Sequence, residues 1–149
     1  MKVVATNSKA RRNYDLLDKF ESGIELKGTE VKSLRAGSVN INDAYCIVRH
    51  GEIFVENMHI APYKSGNIFN HDPLRRRKLL LHKREIIRLS SKMEQKGLAL
   101  VPLRVYFNGK GKAKLEIALA RGKHSYDKRE DIAKRDQERE MKKQMKYRY

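Results

Sequence analysis

The chain has 149 residues, enough for one domain with a sizeable core. Lysine and arginine number 34 against 18 acidic residues, a formal charge of +16, which points to a polyanionic partner: nucleic acid first, an anionic membrane surface second. The single cysteine, Cys46, excludes a disulfide framework and a cysteine-based zinc site, and fits a reducing compartment.

Residues 1–12 hold only Val3-Val4-Ala5 as an apolar patch, so no secretory leader is expected there. Lys9, Arg11 and Arg12 form a first basic cluster. Residues 14–26 read as a long strand, with Gly23 as its bulge or bend. Thr29 is placed to cap a short helix that turns Val31 and Leu34 inward and stops at Gly37. Residues 44–49 and 52–57 form a hairpin around His50-Gly51, followed by a basic loop over 61–78. Apolar residues at Ile86, Leu89 and Met93 predict a helix over 83–96 ended by Gly97. Ala99, Val101, Leu103, Val105 and Phe107 alternate with period two, as do Ala113, Leu115, Ile117 and Leu119; Asn108-Gly109-Lys110-Gly111 is the turn between them. Short antiparallel strands with two inserted helices predict a mainly β fold, a small closed barrel, over residues 1–122.

Residues 123–149 differ in kind. They carry ten basic and six acidic residues, and their only aliphatic or methionine side chains are Ile132, Ala133, Met141 and Met145. Such a segment has no face to bury, so it is expected to be disordered when free. It lacks Pro and Gly and is rich in helix formers, so it is expected to become helical against a surface. No run approaches the roughly 20 apolar residues of a spanning helix.

Enzyme motifs are missing. The five histidines show no i, i+4 metal pair, and Gly109-Lys110-Gly111-Lys112 lacks phosphate-loop spacing. His71-Asp72 are sequence neighbours, which suits a loop or cap rather than a dyad. The acidic residues do not cluster as a Mg²⁺-dependent ribonuclease would need. No cofactor, no metal and no catalytic residue is therefore expected. What remains is basic clusters interleaved with aromatics, the composition of a nucleic-acid platform. Arg75, Arg76, Arg77 and Lys78 offer forks and point charges to phosphate. Phe20, Tyr106 and Phe107 read as core. In the extended run Leu79-Leu80-Leu81, Leu80 points away from its neighbours. It faces either outward beside the cations, against a base or sugar, or under a helix.

Asn7-Ser8-Lys9-Ala10, the stretch GxEVKSLRxG at Gly28 to Gly37, the stretch DPxRxRKLLL at Asp72 to Leu81, and Asp127-Lys128-Arg129 at the head of a basic tail occur in that order. In these residues the chain resembles the SsrA-binding protein (SmpB) family, from about Val4 to the C-terminus. The resemblance implies an OB-fold-like barrel that binds the tRNA-like domain of transfer-messenger RNA and accompanies it to stalled bacterial ribosomes. Trans-translation would follow, with a cytoplasmic, monomeric, non-enzymatic adaptor as the protein component. It implies RNA contacts at Asn7, Glu21 and Leu80; the clustered charges Lys9, Arg11, Arg12, Arg75, Arg76, Arg77 and Lys78 are expected to bind RNA on their own chemistry. It implies a tail that enters the decoding centre and the empty mRNA path, with Tyr126, Asp127, Lys128, Arg129, Lys134 and Arg135 on the ribosome. Ser8 and Tyr126 stand where some members carry a basic residue and a histidine. Read alone, Glu21 is a strand-surface carboxylate or an acceptor for an RNA donor, and Asn7 is a turn residue or a base contact. A non-specific nucleic-acid chaperone on the same barrel is the alternative.

Overall fold

The computed structural model describes residues 1–63 and 70–123. In chain order its elements are β1 (Lys2–Thr6), α1 (Ala10–Asn13), β2 (Tyr14–Ile24), α2 (Gly28–Arg35), β3 (Val39–Asn40), β4 (Tyr45–Arg49), β5 (Glu52–Glu56), β6 (His59–Ile60), β7 (Arg77–Leu80), α3 (Lys83–Lys96), β8 (Ala99–Phe107) and β9 (Ala113–Gly122). Seven strands form one antiparallel sheet in the order β1-β8-β9-β2-β7-β5-β4, and β3 pairs with β6. Among the described residues no ladder joins the two edge strands, β1 and β4. The mainly β architecture with a few helices agrees with the expectation.

The predicted β8–β9 hairpin closes through Asn108, whose amide donates to the Lys112 carbonyl at 3.0 Å, with Gly111 at φ +75° in the left-handed region. The helix over 83–96 is α3, stopped by Gly97 at φ +61°. It buries Ile86 and Leu89 against the same core as Leu115, Ile117 and Val105.

Three local expectations are corrected. α2 is capped at Lys27, not Thr29. The Glu30 carboxylate reaches back to accept the Lys27 amide at 2.7 Å, which satisfies the first free N–H without a hydroxyl. The Thr29 hydroxyl lies instead 2.9 Å from Nδ1 of buried His71, whose Nε2 lies 2.9 Å from the Ile60 carbonyl. A carbonyl only accepts, so Nε2 carries a proton toward Ile60. Second, the register shift in β2 falls between Leu16 and Asp18, and Gly23 is in regular register with both Lys114 and Leu80. Third, period two does not hold throughout β8. A shift between Pro102 and Arg104 switches its parity, so Leu100, Val105 and Phe107 join the main core. Val101 and Leu103 join a second cluster with Ala10 of α1, Ala118 and Ala120. Proline cannot donate to a ladder, so a bulge beside it is the position that tolerates it.

The bulge leaves α1 covering one end of the outer sheet face. The other end, across β8, β9 and β2, is not covered by a helix among the described residues and carries Arg104, Glu116, Tyr106, Glu21 and Lys114. Among the described residues no helix is long and apolar enough to cross a membrane.

Candidate nucleic-acid interface

Two concavities lie on this uncovered face. One, of about 350 Å³, is lined by Asn7, Arg11, Lys19, Arg104 and Glu116 among others. The second, of about 520 Å³, is a cleft lined by Glu21, Gly23, Lys78, Leu80, Glu85 and Lys114 among others. A chain of side chains joins them. Arg104 Nε donates to Glu116 at 2.9 Å, the Arg104 guanidinium sits 5.6 Å from the Tyr106 ring centroid, and the Tyr106 hydroxyl donates to Glu21. Burial, and then the hydrogen bond to Glu21, push the Tyr106 phenol up to about 12, so it stays a donor at neutral pH.

Leu80 is 50% exposed, while its neighbour Leu79 is buried in the core. The alternation at 79–81 therefore points Leu80 outward, as one of the two sequence readings has it. Gly23 stands opposite it. A Cβ built at Gly23 would lie 3.1 Å from the Leu80 Cβ, so the glycine gives Leu80 its seat. Glu21 and Leu80 thus meet in one cleft, and Lys114, which sequence reasoning did not single out, meets them there. Its signal was its place opposite Leu115 and Ile117 in the alternating run.

The basic run at 75–78 is not a bare cationic surface. Arg75 and Arg77 both hold Glu30: Arg75 Nη2 at 2.7 Å and Arg77 Nε at 2.6 Å. Arg76 pairs with Glu56, and Lys78 with Glu52 at 2.7 Å. Arg77 is fully buried and also donates to the Met58 carbonyl at 2.6 Å, so the expectation that it meets RNA is corrected: it is a core residue with its donors in use. Burial pushes the Glu30 carboxyl up. Hydrogen bonds from Arg75, the Lys27 amide and Arg77, with the Arg77 charge, outweigh that and leave it below the ordinary carboxylate range. The two most distinctive stretches of the sequence are therefore bolted together by one buried carboxylate.

Asn7 is also largely internal. It is buried, its Nδ2 donates to the Pro102 carbonyl at 2.9 Å, and its Oδ1 accepts the Lys9 amide at 3.1 Å. It pins the turn from β1 into α1 onto the bulged part of β8. Lys9 is exposed and pairs with Asp43 at 3.0 Å. Arg11 and Arg12 are exposed. Tyr126, Asp127, Lys128, Arg129, Lys134 and Arg135 lie outside the described residues. Among the described residues no group of three potential metal ligands gathers, and burial pushes the Cys46 thiol up, away from nucleophilic use.

The chain as a whole has known relatives. The family model described as "SmpB protein" matches residues 4–147. An SsrA-binding protein of Desulforudis audaxviator is 59% identical over 140 residues, covering 94% of this chain and 91% of that one. An SsrA-binding protein of Carboxydothermus hydrogenoformans is 55% identical over 148 residues and 99% of both chains. A solved chain described as "tmRNA-SmpB: a journey to the center of the bacterial ribosome" superposes with a TM-score of 0.68 at 54% identity, covering 83% of this chain and 85% of its own.

Proposed function

The chain belongs to the SmpB protein family, and from that premise we propose how it works. It is an RNA-binding adaptor that binds transfer-messenger RNA and acts with it on the bacterial ribosome in trans-translation. Its body reads the tRNA-like domain with the face built from β8, β9, β2 and β7, and residues 123–149 enter the decoding region and the empty mRNA path. The observation that carries this reading is the meeting of Glu21, Leu80 and Lys114 in one cleft, 85 residues of chain separating Glu21 from the Tyr106 that holds it. Lys78 and Lys114 supply charge there, while Leu80 supplies apolar surface for a base or sugar that is out of its stack. Arg11, Arg12, Lys9 and the exposed parts of Arg75 and Arg76 take phosphates around that centre. Asn7 contributes mainly by holding the turn that carries them.

The proposal includes a closed OB-like barrel, supported by β4 lying against β8, which brings one sheet edge round to the strand beside the other. It also includes an adaptor without catalysis, active in the cytoplasm as a monomer, with no cofactor and no membrane role.

The test is a titration at one near-physiological salt concentration. It compares the tRNA-like fragment with an unstructured RNA of equal length, using the full chain and a chain ended at Gly122. Preference for the folded fragment, kept by the shortened chain that no longer supports tagging on stalled ribosomes, is the expected result. Equal binding of both RNAs at a steep salt dependence would favour the non-specific chaperone instead.

A further inference from the structure

Glu21 sits in register directly opposite Glu116 on the next strand. Like charges so placed repel, and neither carboxylate belongs on a face that meets a polyanion unless each has a defined task. The structure separates the two. Glu116 takes the Arg104 guanidinium at 2.9 Å, and Glu21 takes the Tyr106 hydroxyl on Oε2. Tyr106 lies on β8 and Glu21 on β2, with β9 between them, a span on the order of 10 Å. A phenol on a rigid ring crosses that gap with only two torsions to fix. Tyr106 as a whole is 6% exposed and its ring is faced by the Arg104 guanidinium, so the hydroxyl arrives from a fixed direction. Among the described residues Tyr106 is the one hydrogen-bond donor on the Glu21 side chain, which lines the cleft, and none of them donates to Oε1.

We propose that Tyr106 is a positioning residue for RNA recognition, locking Glu21 so that its second carboxylate oxygen accepts a hydrogen bond from an exocyclic amine or a 2′-hydroxyl. This inference rests on the functional reading above and deepens it. A carboxylate repels phosphate, so a fixed Glu21 rejects a strand that presents its backbone to the cleft and accepts one that presents donors. Arg104 and Glu116 act one step behind, by holding the ring.

Tyr106→Phe keeps the ring and its packing and removes only the hydroxyl. The full-length protein is compared as wild type, Tyr106→Phe, Glu21→Gln and the double variant. Each is titrated with the tRNA-like fragment of transfer-messenger RNA and with an unstructured RNA of equal length at one salt concentration. Tyr106→Phe should weaken binding of the folded fragment about tenfold, roughly 1.4 kcal/mol, and leave the unstructured RNA unchanged. In the Glu21→Gln background it should cost less than about twofold more, because the group it positions is already altered. Losses that multiply in the double variant, or a Tyr106→Phe protein that binds as wild type, would overturn the inference. A loss equal on both RNAs would overturn it too, since a general weakening of the fold moves both. Equal affinity of the wild type for the two RNAs would overturn the functional reading, and this inference with it.

Discussion

Removing Glu30 should unfold much of the molecule's margin of stability, though the residue touches no partner. Its carboxylate is fully buried and accepts four hydrogen bonds, from the Lys27 amide, twice from Arg75, and from Arg77. Arg77 is fully buried as well, and Glu30 is the acid that pairs with it. In Glu30→Ala the Arg77 charge stays in the interior with carbonyl oxygens as its remaining hydrogen-bond acceptors among the described residues. Breaking a buried pair by deleting one member costs about 3–5 kcal/mol, against a total stability of roughly 5–15 kcal/mol for a domain. At roughly 3–6 °C per kcal/mol for a body of this size, the melting temperature should fall by about 9–30 °C. Urea and thermal unfolding followed by circular dichroism read both numbers. Pairing Glu30→Leu with Arg77→Met should be less damaging than Glu30→Ala, because the second substitution removes the stranded charge. A Glu30→Ala penalty below about 1 kcal/mol, or a double variant as unstable as the single one, would refute the argument. The pH dependence carries the same signature. The folded Glu30 carboxyl lies below its ordinary value of 4.5, so its contribution is fully present above that value and is lost as pH falls through the folded one. The stability gap between wild type and Glu30→Gln should therefore narrow as pH drops below about 4.5.

Three further outcomes follow from the cleft. Leu80→Ala should change stability by less than about 1 kcal/mol, because the side chain is half exposed, yet lower affinity for the tRNA-like RNA about tenfold; unchanged affinity would remove Leu80 from the interface. Gly23→Ala brings a methyl to 3.1 Å from the Leu80 Cβ and should shift Leu80 by a few tenths of an ångström, weakening RNA binding while costing roughly 1 kcal/mol in unfolding experiments. The Tyr106 phenol is raised from 10.0 to about 12 in the fold, so its stabilising effect is present below its unfolded value and is lost as pH rises through the folded one. Urea unfolding of wild type against Tyr106→Phe should show a constant difference up to about pH 10 and a shrinking one above it.

Elements governed by local chemistry were legible in the sequence. The bounds of α3, the β4–β5 and β8–β9 hairpins and the glycine stops at 37 and 97 follow from period and turn residues within a few positions. The outward Leu80 was one of two open readings, and strand alternation decides for it. Features made by distant segments were not legible. The arginine run at 75–77 looks like a phosphate grip because its acids, Glu30 and Glu56, lie 20 to 47 residues away. Tyr106 reads as core because its ring is buried, and nothing nearby in the chain reveals that its hydroxyl crosses a strand to Glu21. Parity in β8 fails at Leu103, since only the folded ladder shows which residue Pro102 forces into a bulge.

The strand order also sets a timetable. β1 pairs with β8, and β2 pairs with β9 along nearly its whole length, so these early strands must wait for β8 and β9. Before β8 is made, the described strand pairing that is local in sequence is the β4–β5 hairpin; the β8–β9 hairpin closes later. Such distant pairing makes for slow, late folding, with β1 and β2 carrying open edges in the meantime. Glu21 emerges early but has no Tyr106 to hold it and no Lys114 beside it until β8 and β9 have been made. The recognition face of this protein comes into being all at once, when β8 and β9 meet the strands made long before them.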